Sequence, residues 1–192
     1  MAVVIHRYDP PERFVAGTVG PPGQRTFFLQ ARAGSRVTSV ALEKEQVAVL
    51  AERIGDLLDQ VAEQTDVDTT ASNDPVDAEP LEQPIVEEFR AGTMTLAWDG
   101  DDEMVAIEVF PVDETPDEPA AGSEDPPEEP AVEPEVDELL LVRVPATTAR
   151  GFVSRALAVV SAGRPACPFC GGPIDPDGHL CPRANGFRRT SQ

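Results

Sequence analysis

Lysine is almost missing from this chain: of its 15 basic residues only Lys44 is not arginine. Aromatic residues are scarce too, with one tryptophan, one tyrosine and eight phenylalanines in 192 residues. A core must therefore be built mainly from valine, leucine, isoleucine and alanine. No run of 18 apolar residues occurs, so no spanning helix is expected. The N-terminal stretch lacks a basic segment followed by an apolar one, so no secretory signal is expected either. Gly-x-Ser-x-Gly, a dinucleotide fingerprint and His-Glu-x-x-His are all absent, which removes the usual sequence grounds for assigning a reaction. Cysteine is limited to three residues and histidine to two. An odd number of cysteines in one cluster suits a reducing compartment and a metal better than a disulfide framework. The expectation is a soluble cytoplasmic protein without membrane contact.

All three cysteines and one histidine fall in the last 26 residues, as Cys167-Pro-Phe-Cys170 followed by His179-Leu-Cys181. Thiolate and imidazole are ligands that zinc prefers, and four of them close a tetrahedral site. A Cys-x-x-Cys turn brings two sulfurs to one ion, and Pro168, Gly171 and Gly172 supply turn chemistry. His179 and Cys181 are two residues apart, so extended backbone points both to one side. The spacing predicts a structural Zn2+ site of ribbon or knuckle type at Cys167, Cys170, His179 and Cys181. A redox pair would call for a thioredoxin-like strand and helix after it, and none is legible.

The formal net charge of −20 is unevenly spread. Residues 56–138 hold 28 of the 35 acids and a single base, Arg90, whereas both flanks carry a small positive excess. Residues 113–138 are dominated by Glu, Asp, Pro and Ala, with no base and no aromatic residue. Such a composition cannot bury enough apolar surface to offset its ordering entropy, so a disordered acidic insertion is expected there. Residues 66–84, with Pro75, Pro80 and Pro84 among acids, read as a second acidic linker.

An internal repeat emerges once these stretches are set aside. Phe14-Val-Ala-Gly-Thr18 matches Phe89-Arg-Ala-Gly-Thr93 at an offset of 75. Leu42, Val47, Leu50, Arg53 and Ile54 match Val144, Ala149, Phe152, Arg155 and Ala156 at an offset of 102. The two offsets differ by 27, close to the length of the acidic insertion, as a duplication with one insertion requires. In each half, alternating strands separated by Gly, Pro and Asp turns lead into an amphipathic helix, at 43–61 and 148–162. The expected class is α+β: a duplicated antiparallel strands-then-helix unit, ββββα plus βββα, followed by the zinc tail. The units would span 1–65 and 85–163, and the tail 164–192. The same element order builds PUR-type and Whirly-type nucleic-acid-binding repeats, an analogy of order alone.

Few other residues invite chemistry. Pro-Pro-Gly-Gln24 superficially suggests a phosphate loop but lacks the Gly-Lys-Ser/Thr ending, so a tight hairpin is expected. His6 lies in an apolar strand, where a packed or hydrogen-bonded imidazole is the default. Trp98 reads as a core edge, and Asp99, Asp101, Asp102 and Glu103 as a solvated turn without the ligand spacing of a calcium loop. Arg183, Arg188 and Arg189 crowd Phe187 in the tail, where guanidinium and ring could hold phosphate and stacked bases. Three functions follow: a non-enzymatic zinc-containing binding or adaptor protein with a protein partner, which the absence of a catalytic constellation favours; a nucleic-acid binder using that tail; or an enzyme with a cleft between the units near His6, Arg25 or Asp99.

Several segments carry a resemblance. They are His6-Arg-Tyr-Asp-Pro-Pro-Glu-Arg-Phe-Val-Ala-Gly-Thr18, Gly23-Gln-Arg-Thr-Phe-Phe-Leu-Gln30 and Val40-Ala-Leu-Glu-Lys-Glu-Gln-Val47. To these add Phe89-Arg-Ala-Gly-Thr-Met94, Leu96-Ala-Trp-Asp99, Gly163-Arg-Pro-Ala-Cys-Pro-Phe-Cys-Gly171 and Cys181-Pro-Arg-Ala-Asn-Gly186. Together they resemble an uncharacterised actinobacterial family, a domain of unknown function described as a repeat protein. The resemblance implies a cytoplasmic actinobacterial protein and brings no reaction with it.

Overall fold

Seven strands and two helices lie among the described residues of a computed structural model, which are 3–21, 23–65, 67–70, 76–112, 138–162, 167–170, 174, 181 and 183. The strands are β1 (Val4–Tyr8), β2 (Arg13–Val19), β3 (Thr26–Ala33), β4 (Arg36–Leu42), β5 (Glu87–Asp99), β6 (Met104–Pro111) and β7 (Glu138–Pro145). Helix α1 (Lys44–Gln64) follows β4, and α2 (Ala146–Ser161) follows β7. The class is α+β, with all strands in one sheet of order β1-β7-β6-β5-β4-β3-β2.

Both halves run three antiparallel strands into a helix; short turns join β2 to β3, β3 to β4 and β5 to β6, whereas residues 112–137 separate β6 from β7, and burial alternates along β6 and β7. Val105, Ile107 and Val109 on β6 and Leu140, Val142 and Val144 on β7 are fully buried, while the residues between them are partly exposed. Helix α1 starts at a capping box in which Glu43 accepts from the third-residue amide and the Gln46 side chain accepts from the Glu43 N–H at 2.8 Å. Its stripe Val47, Leu50, Ala51, Ile54, Leu58 and Val61 is buried. The helices pack on each other and cross between halves, α2 lying on β2 and α1 touching β5. Phe14 of β2 stacks on Phe152 of α2, ring centroids 4.6 Å apart. One core therefore serves both halves.

Two features differ from the sequence expectation. Pairing is not antiparallel throughout: β4 meets β5 in parallel, and β1 leaves β2–β4 to run parallel to β7 at the far end of the sheet. The four-strand first unit is thus three strands plus one that serves the other half. Strand β1 is nonetheless tied to β4, four places away in the sheet order, since the Tyr8 hydroxyl donates to Thr38 Oγ1 at 2.9 Å and Arg36 donates to the Arg7 carbonyl. Such contacts demand a strongly coiled sheet. The Arg36 guanidinium also lies 4.2 Å from the Tyr8 ring centroid.

The second difference concerns residues 66–84, expected to be a solvated linker. Their described part is a packed strap: Leu81 is buried against Val15, Phe28 and Ala41, with Ile85 beside it. Gln30 Oε1 accepts the Glu82 N–H at 2.7 Å, and the Gln30 amide donates to the Glu82 carbonyl at 3.2 Å. Asp77 takes the Arg13 guanidinium at 2.6 and 3.0 Å and Arg155 at 2.8 Å. In the first half the sheet is consequently covered on both faces, by helices and by strap. The acidic insertion lies outside the described residues apart from Glu138, which opens β7.

Candidate metal centre

The thiols converge as the spacing requires. Cys167 and Cys181, 14 positions apart, have Sγ atoms 3.7 Å apart, and both residues are buried. Cys170 joins them, so that one sulfur from each of the three lies within 4.8 Å of the others. None of the three is joined in a disulfide. The Cys-Pro-Phe-Cys turn aims amides inward, and the N–H groups of Phe169 and Cys170, helped by the neighbouring thiols, hold the Cys167 thiol down to about 6. Donors on a developing thiolate are the usual surroundings of a metal-ligating cysteine. Arg183 closes the turn from outside by donating to the Phe169 carbonyl at 3.2 Å. The Phe169 ring is 63% exposed on this turn. These three close cysteines can hold a metal ion. His179, expected as the fourth ligand, lies outside the described residues, as do Phe187, Arg188 and Arg189.

The residues considered for a catalytic cleft are not gathered. His6 Nε2 faces Glu138 Oε1 at 2.6 Å and its Nδ1 is 3.3 Å from Thr38 Oγ1. Arg25 donates at 2.6 Å to the carbonyl of Ala162, at the negative end of the α2 dipole. Asp99 belongs to a third cluster, in which Arg143 bridges Asp9, Asp99 and Asp102 and pins the β1–β2 and β5–β6 turns together. Hydrogen bonds from Arg7 and then Arg143 hold the Asp9 carboxyl below its ordinary value, and the surrounding carboxylates push the Arg143 guanidinium well up. Arg32 and Arg36 are engaged internally as well, by Glu12 and by the Arg7 carbonyl. The arginines of the first half are thus largely structural.

Sequence reasoning missed the role of Arg155. Its guanidinium, 8% exposed, donates to the Ala16 carbonyl at 2.8 Å, to the Glu79 carbonyl at 2.7 Å and to Asp77. The repeat alignment paired it with Arg53, which is exposed. A cation in the apolar run of α2 was the available signal.

Fold and cluster together describe an α+β protein with a three-thiol centre after its last helix. The chain belongs to the family described as Protein of unknown function (DUF3090), whose model matches residues 6–181 and so takes in both halves and all three cysteines. No curated protein and no solved structure matches it significantly. Among the described residues no helix is long and apolar enough to cross a membrane.

Proposed function

We propose that Cys167, Cys170, Cys181 and His179 hold a structural zinc ion, and that the protein is a non-enzymatic binding or adaptor protein whose zinc-pinned turn meets a protein partner. The thiol cluster carries this reading. Two sulfurs at about 2.3 Å from a tetrahedral zinc stand about 3.8 Å apart, against the observed 3.7 Å. A disulfide would bring them to about 2.05 Å. Cys167 and Cys181 therefore stand as if along one edge of a tetrahedron, with Cys170 at a third corner. His179, two residues before Cys181, is the sequence's candidate for the fourth. Four protein ligands leave no open position, so the metal would order a tail too short to build a core of its own. The exposed Phe169 on that turn gives a partner an aromatic anchor of the kind protein interfaces favour.

We also read the two strand-strand-strand-helix runs as copies of one unit. The matched pairs support this: Phe14 and Phe89, Ala16 and Ala91, Leu50 and Phe152, and Ile54 and Ala156 are all buried at corresponding places.

Metal analysis of protein purified without added zinc tests the centre. About one equivalent is expected, lost on Cys170→Ser; less than about half an equivalent would reject the zinc reading. Capture of partners from lysate by wild type and by Phe169→Ser tests the adaptor role, with nuclease treatment as a second arm. Protein partners lost in Phe169→Ser support it. A partner set removed by nuclease would reassign the tail, with Arg183, Arg188, Arg189 and Phe187, to nucleic acid. A co-purifying small metabolite in place of partners would point to an enzyme.

A further inference from the structure

A second ligand set lies away from the thiols. His6 of β1, Glu88 of β5 and Glu138 of β7 each offer a ligand atom, all within 4.8 Å of one another. They meet because the coiled sheet carries β1 toward the start of β4, and β4 pairs with the start of β5. The His6 and Glu138 side chains are 18% and 28% exposed, whereas Glu88 is open to solvent.

The charge at this cluster differs from that of the arginine-paired carboxylates among the described residues. Other carboxylates drawn into clusters have arginine partners: Asp9 and Asp99 have Arg143, Asp77 has Arg13 and Arg155, and Asp59 has Arg150. Among the described residues neither Glu88 nor Glu138 has an arginine or lysine within ion-pair distance; Glu138 has His6 alone. Glu138, partly shielded from water, and the solvent-open Glu88 bring two carboxylates to one imidazole, and they lack a cation. The imidazole is also braced as metal-bound histidines are. Thr38 Oγ1 accepts from the Tyr8 hydroxyl at 2.9 Å and lies 3.3 Å from His6 Nδ1. An Nδ1–H donated there leaves the Nε2 lone pair facing the carboxylates.

We propose that His6, Glu88 and Glu138 bind one divalent transition cation, independent of the thiol centre. One imidazole nitrogen with two carboxylates suits manganese, iron, cobalt or zinc; calcium and magnesium sites are built from oxygens alone. Three protein ligands leave coordination positions for water or for an oxygen of an anionic ligand. With Nδ1–H donated to Thr38 Oγ1, the cation takes the Nε2 lone pair and no proton has to leave. Neighbouring ligand atoms on an octahedral ion with bonds near 2.1 Å stand about 3 Å apart. The observed 2.6 Å between Nε2 and Oε1 must therefore open by a few tenths of an ångström, which the partly exposed Glu138 side chain permits.

The test uses the full chain as purified and Mn2+ alone, because manganese prefers carboxylate and imidazole to thiolate. Binding is followed by electron paramagnetic resonance and by broadening of the imidazole signals, of which the chain has only two sets, from His6 and His179. The expected result is uptake of one Mn2+ with selective broadening of His6. Affinity should fall roughly tenfold or more in Glu88→Gln and in His6→Gln, and stay unchanged in Cys170→Ser. Glu88 is exposed, so Glu88→Gln should fold, and its melting curve checks that; it decides the matter if His6→Gln is unstable. Absence of Mn2+ binding would overturn the proposal, leaving His6 as a hydrogen-bond partner of Glu138. Binding that leaves the His6 signals sharp, or that survives Glu88→Gln undiminished, would place the ion on other acids and overturn it equally.

Discussion

Glycines 17 and 92 stand at the same place in the two Phe-x-Ala-Gly-Thr segments, and both admit a neighbour that a side chain would block. A Cβ on Gly92 would stand 2.7 Å from the Pro111 carbonyl oxygen and 2.9 Å from Val112 Cα. Backbone cannot step aside without disturbing the β5–β6 pairing, where the register already shifts between Ala91 and Met94. On Gly17 the Cβ would meet the Leu81 side chain at 2.6 Å, and that chain sits on a strap at the surface. Gly92→Ala should cost about 1–3 kcal/mol of stability, as overpacking generally does. Gly17→Ala should cost less and loosen the strap. Thermal melting of both variants checks the ranking, and equal losses would mean the strap is held as firmly as the sheet. Arg155 makes a related point at the scale of one residue. Its burial depresses the guanidinium despite Asp77, so desolvation outweighs the ion pair there.

The strap is the element whose behaviour depends most on pH. The hydrogen bond from Arg13 is the main reason the Asp77 carboxyl sits below its ordinary value, with further help from the Glu79 amide and Arg155. A carboxyl depressed in the folded state stabilises it above the unfolded pKa, near 3.9, and that contribution disappears as pH falls through the lower native value. Wild type should therefore lose stability on acidification below about pH 4 more steeply than Asp77→Asn. Acid titration of both, followed by the single tryptophan, Trp98, reads the difference; parallel curves would remove Asp77 from the account. Leu81→Ala, which empties the space over Val15 and Phe28, should cost about 2–3 kcal/mol at neutral pH. This element was not legible in the sequence. Leu81 is one apolar residue among acids and prolines, and only a covered sheet face tells a strap from a linker. The two helices and all seven strands could be read, because periodicity and turn residues are local. Strand β1 could be read as a strand, but its partner could not, since β7 lies more than 130 positions away and nothing local encodes that pairing.

Across the whole molecule, the same limit explains which part of the candidate sites could be read. Cys167 and Cys170 announce themselves through a short spacing that carries its own geometry, and Cys181 follows close behind. His6, Glu88 and Glu138 come from three strands spread over the length of the chain, and only the coiling of the sheet unites them. The sheet also determines how the chain tolerates its acidic insertion. Strands β6 and β7 are antiparallel neighbours, with Val109 paired to Leu140, so the stretch between them connects two adjacent strand ends. A short turn can make the same connection. Replacing residues 114–136 by a four-residue Asn-Gly turn should keep the register of Val105, Ile107 and Val109 against Val144, Val142 and Leu140. Closing a loop shortened about fourfold costs roughly 1 kcal/mol less entropy. For a protein of this size that should raise the melting temperature by about 2–4 °C. Glu138 is retained, so Mn2+ binding at His6 should persist in the shortened chain. A fall of several degrees on deletion would show that the insertion packs against the body, against the expectation from its composition.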